Sequence, residues 1–445
     1  MAYNFQIGYT KGGTKMIGKI NSHLREATVI GGGICGLVAA FLLDEKGYSV
    51  ELFEGTDRLG GVLETQLTDH GIAESAAHSI LVTPTVEALF KRLGIDLLNV
   101  NPSSQARWIL RDGKMRRFPL TLTELFSLAV RASWVPALSS KRAIHLSMEE
   151  WAVRHLGQPA LEYLINPMLR GVYGASPEEI LVSAAFPSLI IPPGHSLLSH
   201  RLNEARKHLQ SGQPKTKRRM ASPRGGMSAI TQAISKQLEH RLGSRIHLGC
   251  KLAELPDKKN IVLAVPPHEA AQLLLKADPG LAKQLSTVKT TPLVTVTVFL
   301  KKNAFQKIPT GIGILVPRIE KREILGILFN SSAFEGRVKD PSAWSSLTCM
   351  LGGSSDDEIL HASESEIIKK IERELLFLFG YREPIQHYRM KRWPHAIPQY
   401  NHTLVNTWKV AKTGWCAKPG RIIAGNYTGD LSIRGMIESM TEALL

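Results

Sequence analysis

An apolar strand, a glycine-rich turn and an apolar helix follow one another near the start of the chain, and this succession constrains the fold most. Residues 27–30 read Ala-Thr-Val-Ile, residues 31–36 read Gly-Gly-Gly-Ile-Cys-Gly, and an apolar run occupies Leu37–Leu43. Glycines spaced as G-x-G-x-x-G between a strand and a helix are typical of dinucleotide-binding α/β domains. The pattern therefore predicts a parallel sheet flanked by helices.

Each glycine of this motif has a physical role. Gly31 permits the tight turn after the strand, Gly33 lets a diphosphate approach the backbone, and Gly36 allows helix and strand to pack closely. The helix N-terminus offers free N–H groups and the positive end of its dipole to the phosphates. The alternative is a glycine-rich turn without a ligand.

A second strand, Ser49–Phe53, ends directly before Glu54. This carboxylate follows the glycines by about twenty residues, where it can accept hydrogen bonds from both ribose hydroxyls. An acid at this point favours a cofactor without a 2′-phosphate. FAD and NAD both satisfy that condition.

Composition limits what else the chain can be. With 445 residues, 43% of them hydrophobic, the chain is predicted to fold into two or three globular domains. No apolar stretch reaches the roughly 20 residues of a membrane span. Four scattered cysteines without a C-x-x-C pair indicate a reducing, cytoplasmic setting, and without H-E-x-x-H no metal site is predicted. The net charge of +16 favours an anionic partner: nucleic acid, a membrane surface or an acidic small molecule.

The residues after Glu54 separate FAD from NAD. The segment 54–61 reads Glu-Gly-Thr-Asp-Arg-Leu-Gly-Gly and resembles the E-x-x-x-R-x-G-G extension of the flavin amine oxidase superfamily. The resemblance implies that Arg58, Gly60 and Gly61 hold the diphosphate of FAD from its second side. A bidentate guanidinium suits a diphosphate.

Five further blocks carry a narrower resemblance. They lie at 166–187, 223–227 (Pro-Arg-Gly-Gly-Met), 311–317, 350–353 and 392–400 (Arg-Trp-Pro-His-Ala-Ile-Pro-Gln-Tyr). In this order they resemble the oxygen-dependent, FAD-containing protoporphyrinogen oxidases, which include coproporphyrinogen-oxidising bacterial relatives. The resemblance implies oxidation of protoporphyrinogen IX to protoporphyrin IX in haem biosynthesis, with hydride passing to flavin N5 and electrons to O2, giving H2O2.

The resemblance also implies a discontinuous Rossmann-like FAD-binding domain with two insertions. Apolar runs at 260–267 and 421–426 are predicted to return to its sheet, and 433–445 to close it with a helix. The predicted division is a disordered basic leader at 1–26; an FAD-binding domain at 27–88, 219–285 and 386–445; a helical membrane-contacting or substrate domain at 89–218; and a strand-rich substrate-binding domain at 286–385.

Site residues follow from the glycine motif and the resemblance together. Arg107 is matched to a propionate-binding arginine, with a surface salt bridge as the alternative. Ile312, Gly313, Leu315 and Met350 are matched to the walls of the substrate slot, with strand core as the alternative. The residues expected to hold FAD are Gly31, Gly32, Gly33, Ile34, Cys35, Gly36, Glu54, Arg58, Gly60, Gly61, Val62, Ala76, Ala77, His78, Asn426, Leu431, Ser432 and Ile433.

Departures from the family pattern keep other functions open. His78 stands where the family has an amide or guanidinium, and it could act as a base, contact the flavin or be merely hydrogen-bonded. Asp430 replaces a glycine expected near the flavin, and Ile312 replaces a frequent aromatic. The alternatives are coproporphyrinogen III oxidation, another flavin oxidase acting on an amine or polyene, and a non-catalytic flavin or porphyrin binder.

Two segments concern the membrane. Residues 120–138 carry only Glu124 and Arg131 as charges, which predicts a helix that is either core or dips into lipid. The basic tract 215–219 lacks the interleaved aromatics of a nucleic-acid site, so it indicates a solvated loop or a lipid-surface contact. The chain is therefore expected to be cytoplasmic and peripherally membrane-bound, with no nucleic-acid partner and with homodimerisation left open.

Overall fold

The structure is a computed structural model that describes residues 18–20, 23, 25–136, 143–210, 218–354 and 356–444. Most of the predicted leader, residues 215–217 of the basic tract and the end of the 120–138 segment lie outside these residues. Predictions about those parts stay predictions.

A five-stranded parallel sheet forms the first layer, in the order β10-β2-β1-β11-β17. Helix α1 (Ile34–Glu45) packs on it between α9 (Ser228–Leu242) and α15 (Ile433–Leu444), and all three share one buried core. The predicted return of 260–267 and 421–426 to this sheet is confirmed. The strands are β1 (Glu26–Ile30), β2 (Ser49–Phe53), β10 (Ile246–His247), β11 (Ile261–Leu263) and β17 (Arg421–Ile423).

A seven-stranded sheet forms the second layer, in the order β16-β12-β15-β14-β13-β7-β8. Its pairs are antiparallel except β13 with β7. One face packs on α13 (Glu364–Phe379) around a core that includes Val296, Ile314 and Ile371. The strands are β7 (Arg107–Arg111), β8 (Lys114–Arg116), β12 (Thr290–Lys301), β13 (Gly313–Leu315), β14 (Gly326–Leu328), β15 (Trp344–Gly352) and β16 (His387–Pro398).

This sheet draws strands from three parts of the predicted division. Strands β7 and β8 come from the 89–218 stretch, and β16 comes from the 386–445 stretch. Short-range periodicity predicts a strand but not its distant partner, so these pairings could not be predicted from local pattern. The domain boundaries themselves stay a prediction.

Smaller elements complete the chain. Two minor sheets pair β3 (Thr65–Leu67) with β4 (Ile72–Glu74), and β9 (Arg219–Pro223) with β5 (Ile80–Val82) and β6 (Leu97–Asn99). The remaining helices are α2 (Pro84–Arg92), α3 (Leu122–Trp134), α4 (Met148–His155), α5 (Gln158–Ala160), α6 (Asn166–Tyr173), α7 (Val182–Ala185), α8 (Leu197–Gln210), α10 (Pro267–Leu274), α11 (Pro279–Ser286), α12 (Asn330–Ala333) and α14 (His402–Thr413), with a π-helical turn at Leu161–Ile165.

Helix α3 contradicts one of the two expectations for the 120–138 segment. It begins at a capping box between Thr121 and Glu124, and Arg111 of β7 donates two hydrogen bonds to the same carboxylate at 2.7 and 2.9 Å. None of its residues is buried. The core alternative is therefore wrong, because α3 packs on the surface and leaves apolar side chains outside. Within the described ranges, no helix combines the length and apolar content needed to span a bilayer.

Candidate functional site

The glycine turn lies at the carboxyl edge of the parallel sheet. A Cβ on Gly36 would lie 1.8 Å from the carbonyl oxygen of Gly31, so no other residue fits at Gly36 without moving the backbone. A Cβ on Gly33 would meet nothing within 4 Å, and no side chain caps the helix that starts there. The turn therefore leaves open backbone at a helix N-terminus, which is an anion-binding arrangement.

Glu54 lies beside this turn, at the end of β2. Its carboxylate accepts hydrogen bonds from the backbone N–H of Gly32 at 2.6 Å and from the N–H and hydroxyl of Thr56 at 2.9 and 2.8 Å. These bonds fix the carboxylate at the edge of the turn. Its remaining lone pairs can receive ribose hydroxyls.

The segment predicted to hold the diphosphate from its second side packs against the glycine turn. The Gly60 N–H donates to the Gly32 carbonyl at 2.8 Å, and a Cβ on Gly61 would lie 3.1 Å from the Gly33 Cα. Arg58, whose side chain is 44% exposed, donates to the Gly61 carbonyl at 2.8 Å. The structure thus brings Arg58, Gly60 and Gly61 to the mouth of the turn.

A buried ion pair supports the next predicted segment. Arg337 donates to the Glu74 carboxylate at 2.6 Å, to the Ser222 hydroxyl and to the His78 carbonyl at 3.4 Å. The Glu74 carboxylate also accepts from the Thr65 hydroxyl at 2.7 Å and the Met227 N–H at 2.9 Å. Burial raises the pKa of Glu74, and the neighbouring guanidinium opposes that rise.

The imidazole of His78 is held neutral. Burial lowers its pKa to about 3, and the positive charge of Arg337 acts in the same direction. Its Nε2 is buried without a hydrogen-bond partner in the described part of the chain. A buried polar atom of this kind needs a partner, which a cofactor can supply.

The second sheet turns one face towards this segment. We call it the open face and define it by Arg107, Thr295, Leu315, Met350 and Trp393, which cross-strand register and alternation place on one side. The Thr295 hydroxyl and the Trp393 indole N–H both donate to the Ser75 carbonyl at 3.0 Å. The open face therefore contacts Ser75 directly, at the start of the segment 75–78.

The predicted slot residues divide on this sheet. Leu315 and Met350 are half-buried on the open face, whereas Ile314 and Cys349 beside them are buried beneath α13. Strand core is therefore the wrong description of Leu315 and Met350. Gly313 pairs with Arg107, but alternation does not bring Ile312 to this face.

Two further contacts shape the open face. Arg107 is exposed, and within the described ranges no carboxylate pairs with it, which removes the salt-bridge alternative there. Helix α6 covers the other end of the face, since a Cβ on Gly171 would lie 2.5 Å from a Leu315 methyl carbon. The face is thus closed at one end and cationic at the other.

The C-terminal segment expected near the flavin runs into α15. The backbone carbonyl of Asn426 accepts a hydrogen bond from the Tyr400 hydroxyl at 2.7 Å. The Ser432 hydroxyl accepts one from the Gly435 N–H at 3.1 Å. Asp430 is buried against the first turn of α15 and accepts the Ser439 hydroxyl. Its carboxylate therefore takes part in the packing of α15.

These observations fit FAD. The open backbone at Gly33, the carboxylate of Glu54 and the guanidinium of Arg58 suit the adenosine diphosphate half. The buried Nε2 of His78, which has no hydrogen-bond partner among the described residues, suits the ring half. Among the described side chains, no group of three His, Cys, Asp or Glu residues could hold a metal ion.

Sequence reasoning missed Arg337, Thr295 and the role of Trp393. Arg337 lies in an unremarkable loop 263 residues from Glu74, so nothing local marked it. Trp393 belongs to one of the five family blocks, but its bond to Ser75 spans 318 residues.

Comparison with known proteins agrees with this geometry. Residues 34–441 match the family described as flavin containing amine oxidoreductase. Protoporphyrinogen oxidase 1, chloroplastic, of Arabidopsis thaliana is 27% identical over 98% of this chain and 91% of its own length. Coproporphyrinogen III oxidase of Bacillus subtilis is 24% identical over 85% of this chain and 88% of its own length.

A solved structure shares the fold. The crystal structure of a protein described as a putative protoporphyrinogen oxidase from Exiguobacterium superposes with a TM-score of 0.72. It is 20% identical, and the match covers 95% of this chain and 100% of that one. The expected α/β fold, with its Rossmann-like domain and strand-rich partner, is thereby confirmed.

Proposed function

Because the chain belongs to the flavin-containing amine oxidoreductases, an oxidoreductase family whose cofactor here is FAD, we propose that it oxidises protoporphyrinogen IX to protoporphyrin IX. The observation that carries this proposal is the open face. It presents the half-buried Leu315, Met350 and Trp393 beside the guanidinium of Arg107, which has no ion pair among the described residues, and it contacts the segment 75–78 at Ser75. The printed names of the relatives support the same substrate class.

Different residues of the chain would bind the cofactor and the substrate. Glu54, Arg58 and the amides of the glycine turn would hold the adenosine diphosphate. When bound, FAD supplies the redox chemistry, taking a hydride at N5 and passing electrons to O2. Leu315 and Met350 would exclude water from one face of the tetrapyrrole, because apolar walls favour a flat apolar ring over solvent.

Arg107 would anchor a propionate of the substrate. A guanidinium can grip a carboxylate with two parallel hydrogen bonds, which fixes both position and orientation. Its place at the cationic end of the open face lets the ring extend towards α6. A propionate-bearing substrate also accounts for part of the positive charge of the chain.

The neutral state of His78 limits its role. A histidine with a pKa of about 3 is too weak a base to take a proton efficiently near neutral pH. We therefore favour a flavin contact through Nε2 over general-base catalysis.

Substrate choice is tested by turnover. Purified protein is incubated in air with protoporphyrinogen or coproporphyrinogen, and porphyrin fluorescence is followed beside flavin absorbance. Faster oxidation of protoporphyrinogen supports the proposal, and faster oxidation of coproporphyrinogen moves it to that alternative. A yellow protein with no porphyrin above the non-enzymatic rate is a non-catalytic binder or an oxidase of another substrate.

We further infer that the protein acts at a membrane surface from the cytoplasmic side. Leu122, Phe126, Val130 and Trp134 repeat every fourth residue of α3 and are 85, 73, 42 and 81% exposed. Helix α8 packs beside α3 and exposes Leu198, Leu202 and Leu209 next to several basic residues. Apolar stripes flanked by basic residues suit an interfacial helix pair.

The stripe is tested by flotation with lipid vesicles. Phe126→Ser with Trp134→Ser should abolish flotation without changing flavin content, because neither side chain supports the core. Equal flotation of variant and parent would remove α3 from the membrane contact. Homodimerisation stays a prediction that sedimentation velocity would test.

A further inference from the structure

A cavity that shares no lining residue with the glycine turn or the open face lies between α3 and α4. It has a volume of about 630 Å³, and its charged lining residues are Arg131, Glu149, Glu150 and Arg154. This volume is typical of small-ligand pockets. Val135, directly after the exposed Trp134 of the α3 stripe, forms part of its wall.

The charges around this cavity do not neutralise one another. Within the described ranges none of the four residues takes part in an ion pair, although Glu150 and Arg154 have the i, i+4 spacing of a helical pair. The Glu150 carboxylate instead accepts the Ser147 N–H at 2.9 Å, and Arg154 donates to the Pro136 carbonyl at 3.0 Å. Two arginines and two glutamates thus line the same cavity without pairing with one another.

Arg131 and Arg154 also have guanidinium N–H groups that bond weakly or not at all within the described residues. Arg131 makes one long bond of 3.4 Å to the Val153 carbonyl. The Nε of Arg154 is buried and has no partner in the part of the chain that the structure describes. Guanidinium N–H groups of this kind are well suited to phosphate oxygens, and the exposed Glu149 is suited to an ammonium group.

We propose that this cavity binds the headgroup of a glycerophospholipid that carries both a phosphate and a primary ammonium, the chemistry of phosphatidylethanolamine. Arg131 and Arg154 would take the phosphate, and Glu149 the ammonium. The proposal rests on the inferred membrane contact, because Val135, directly after Trp134 of the α3 stripe, lines the cavity. Tryptophan prefers the headgroup level of a bilayer, which places the cavity at the depth of the phosphates.

The test compares vesicles of phosphatidylcholine alone with vesicles that also contain phosphatidylethanolamine or phosphatidylglycerol. The parent protein should float best with phosphatidylethanolamine. Arg154→Gln should lower that added affinity about tenfold, as expected for one charge-assisted hydrogen bond, and should leave binding to phosphatidylcholine unchanged. Glu149→Gln, at an exposed position, should remove the preference for phosphatidylethanolamine over phosphatidylglycerol.

Controls separate this proposal from the proposed function. Arg382→Gln, an exposed arginine on the far side of the second sheet, should change nothing. If the α3 stripe variant still floats, the membrane contact fails, but the cavity is tested independently by calorimetry with soluble glycerophosphoethanolamine, glycerol phosphate and inorganic phosphate. Binding of glycerophosphoethanolamine that both cavity variants weaken supports the proposal. Equal binding of all three probes, or of none, overturns it.

Discussion

The carboxyl edge of the parallel sheet and the open face of the second sheet are built in opposite ways. The edge consists of backbone atoms from two short segments, with Gly31–Gly36 packed against Gly60 and Gly61. The open face consists of side chains from strands that lie far apart in the sequence. At Gly36 the edge has no room for an added Cβ, whereas the open face can change side chains without changing its backbone.

This difference says where each kind of specificity resides. A cofactor shared by many proteins can be held by backbone geometry, because the shape of the turn depends on its glycines and not on the other side chains. A substrate is selected by side chains on a stable scaffold, which can be exchanged one at a time. Substitutions at packed edge positions such as Gly36 should therefore affect folding and cofactor binding together, and substitutions on the open face should affect turnover alone.

The largest effect is expected at Gly36. In Gly36→Val the new Cβ would lie 1.8 Å from the Gly31 carbonyl oxygen, and that backbone atom cannot move aside cheaply. We expect the FAD-binding domain to be destabilised by more than the roughly 1–3 kcal/mol that ordinary overpacking costs, and the variant to lose its FAD. Flavin absorbance and thermal unfolding measure it.

The matched control is Gly33→Ala, three residues earlier. Its Cβ would meet nothing within 4 Å of the protein, so the variant should fold normally and lose only affinity for FAD. If both variants fold equally well, the edge does not depend on close backbone packing.

A smaller but substantial effect is expected at the buried ion pair of Arg337 with Glu74, which supports the segment 75–78 and which we call the junction between the two regions. Arg337→Met leaves the Glu74 carboxylate buried without its partner, and breaking such a pair typically costs about 3–5 kcal/mol. Arg373→Met removes a pair with Glu323 whose arginine side chain is 58% exposed, so about 1 kcal/mol or less is expected. Urea unfolding of both variants decides whether the junction is as important as its burial indicates.

The junction also marks the limit of sequence-based prediction. The roles of Gly31, Gly36 and Glu54 could be predicted because each depends on neighbours within one strand–turn–helix unit. Arg107 was identified only through a family resemblance, since an arginine on a strand has no local signature. Arg337 was missed, because its function depends on a partner 263 residues away and on burial that only the folded chain creates.

Two histidines, His78 beside the open face and His155 at the end of α4, predict a pH dependence. Burial lowers the pKa of His78 to about 3 and of His155 to about 4, so the folded state holds both in the neutral form. The stability that these neutral histidines contribute is complete above the ordinary histidine pKa of about 6.5. It is lost as the pH falls from there towards the lowered pKa of each histidine in the folded state. For His155 we expect a loss of about 2 kcal/mol between pH 7.5 and pH 5.

Urea unfolding of the parent, His155→Phe and His361→Phe at both pH values provides the measurement. The His155 variant should lose part of this dependence, whereas the variant at the exposed His361 should keep it. An identical loss of stability in all three proteins would show that His155 is not the group responsible.

The smallest effect is expected on the open face. Arg107→Ala should leave flavin content and stability unchanged, because the guanidinium has no ion pair to lose within the described ranges. It should raise KM for protoporphyrinogen and lower kcat/KM about tenfold, which is the loss of roughly 1.4 kcal/mol from a charged contact. Arg382→Ala, on the far side of the sheet, should change neither. Steady-state rates from porphyrin fluorescence measure both variants, and unchanged kinetics in Arg107→Ala would remove this residue from the substrate site.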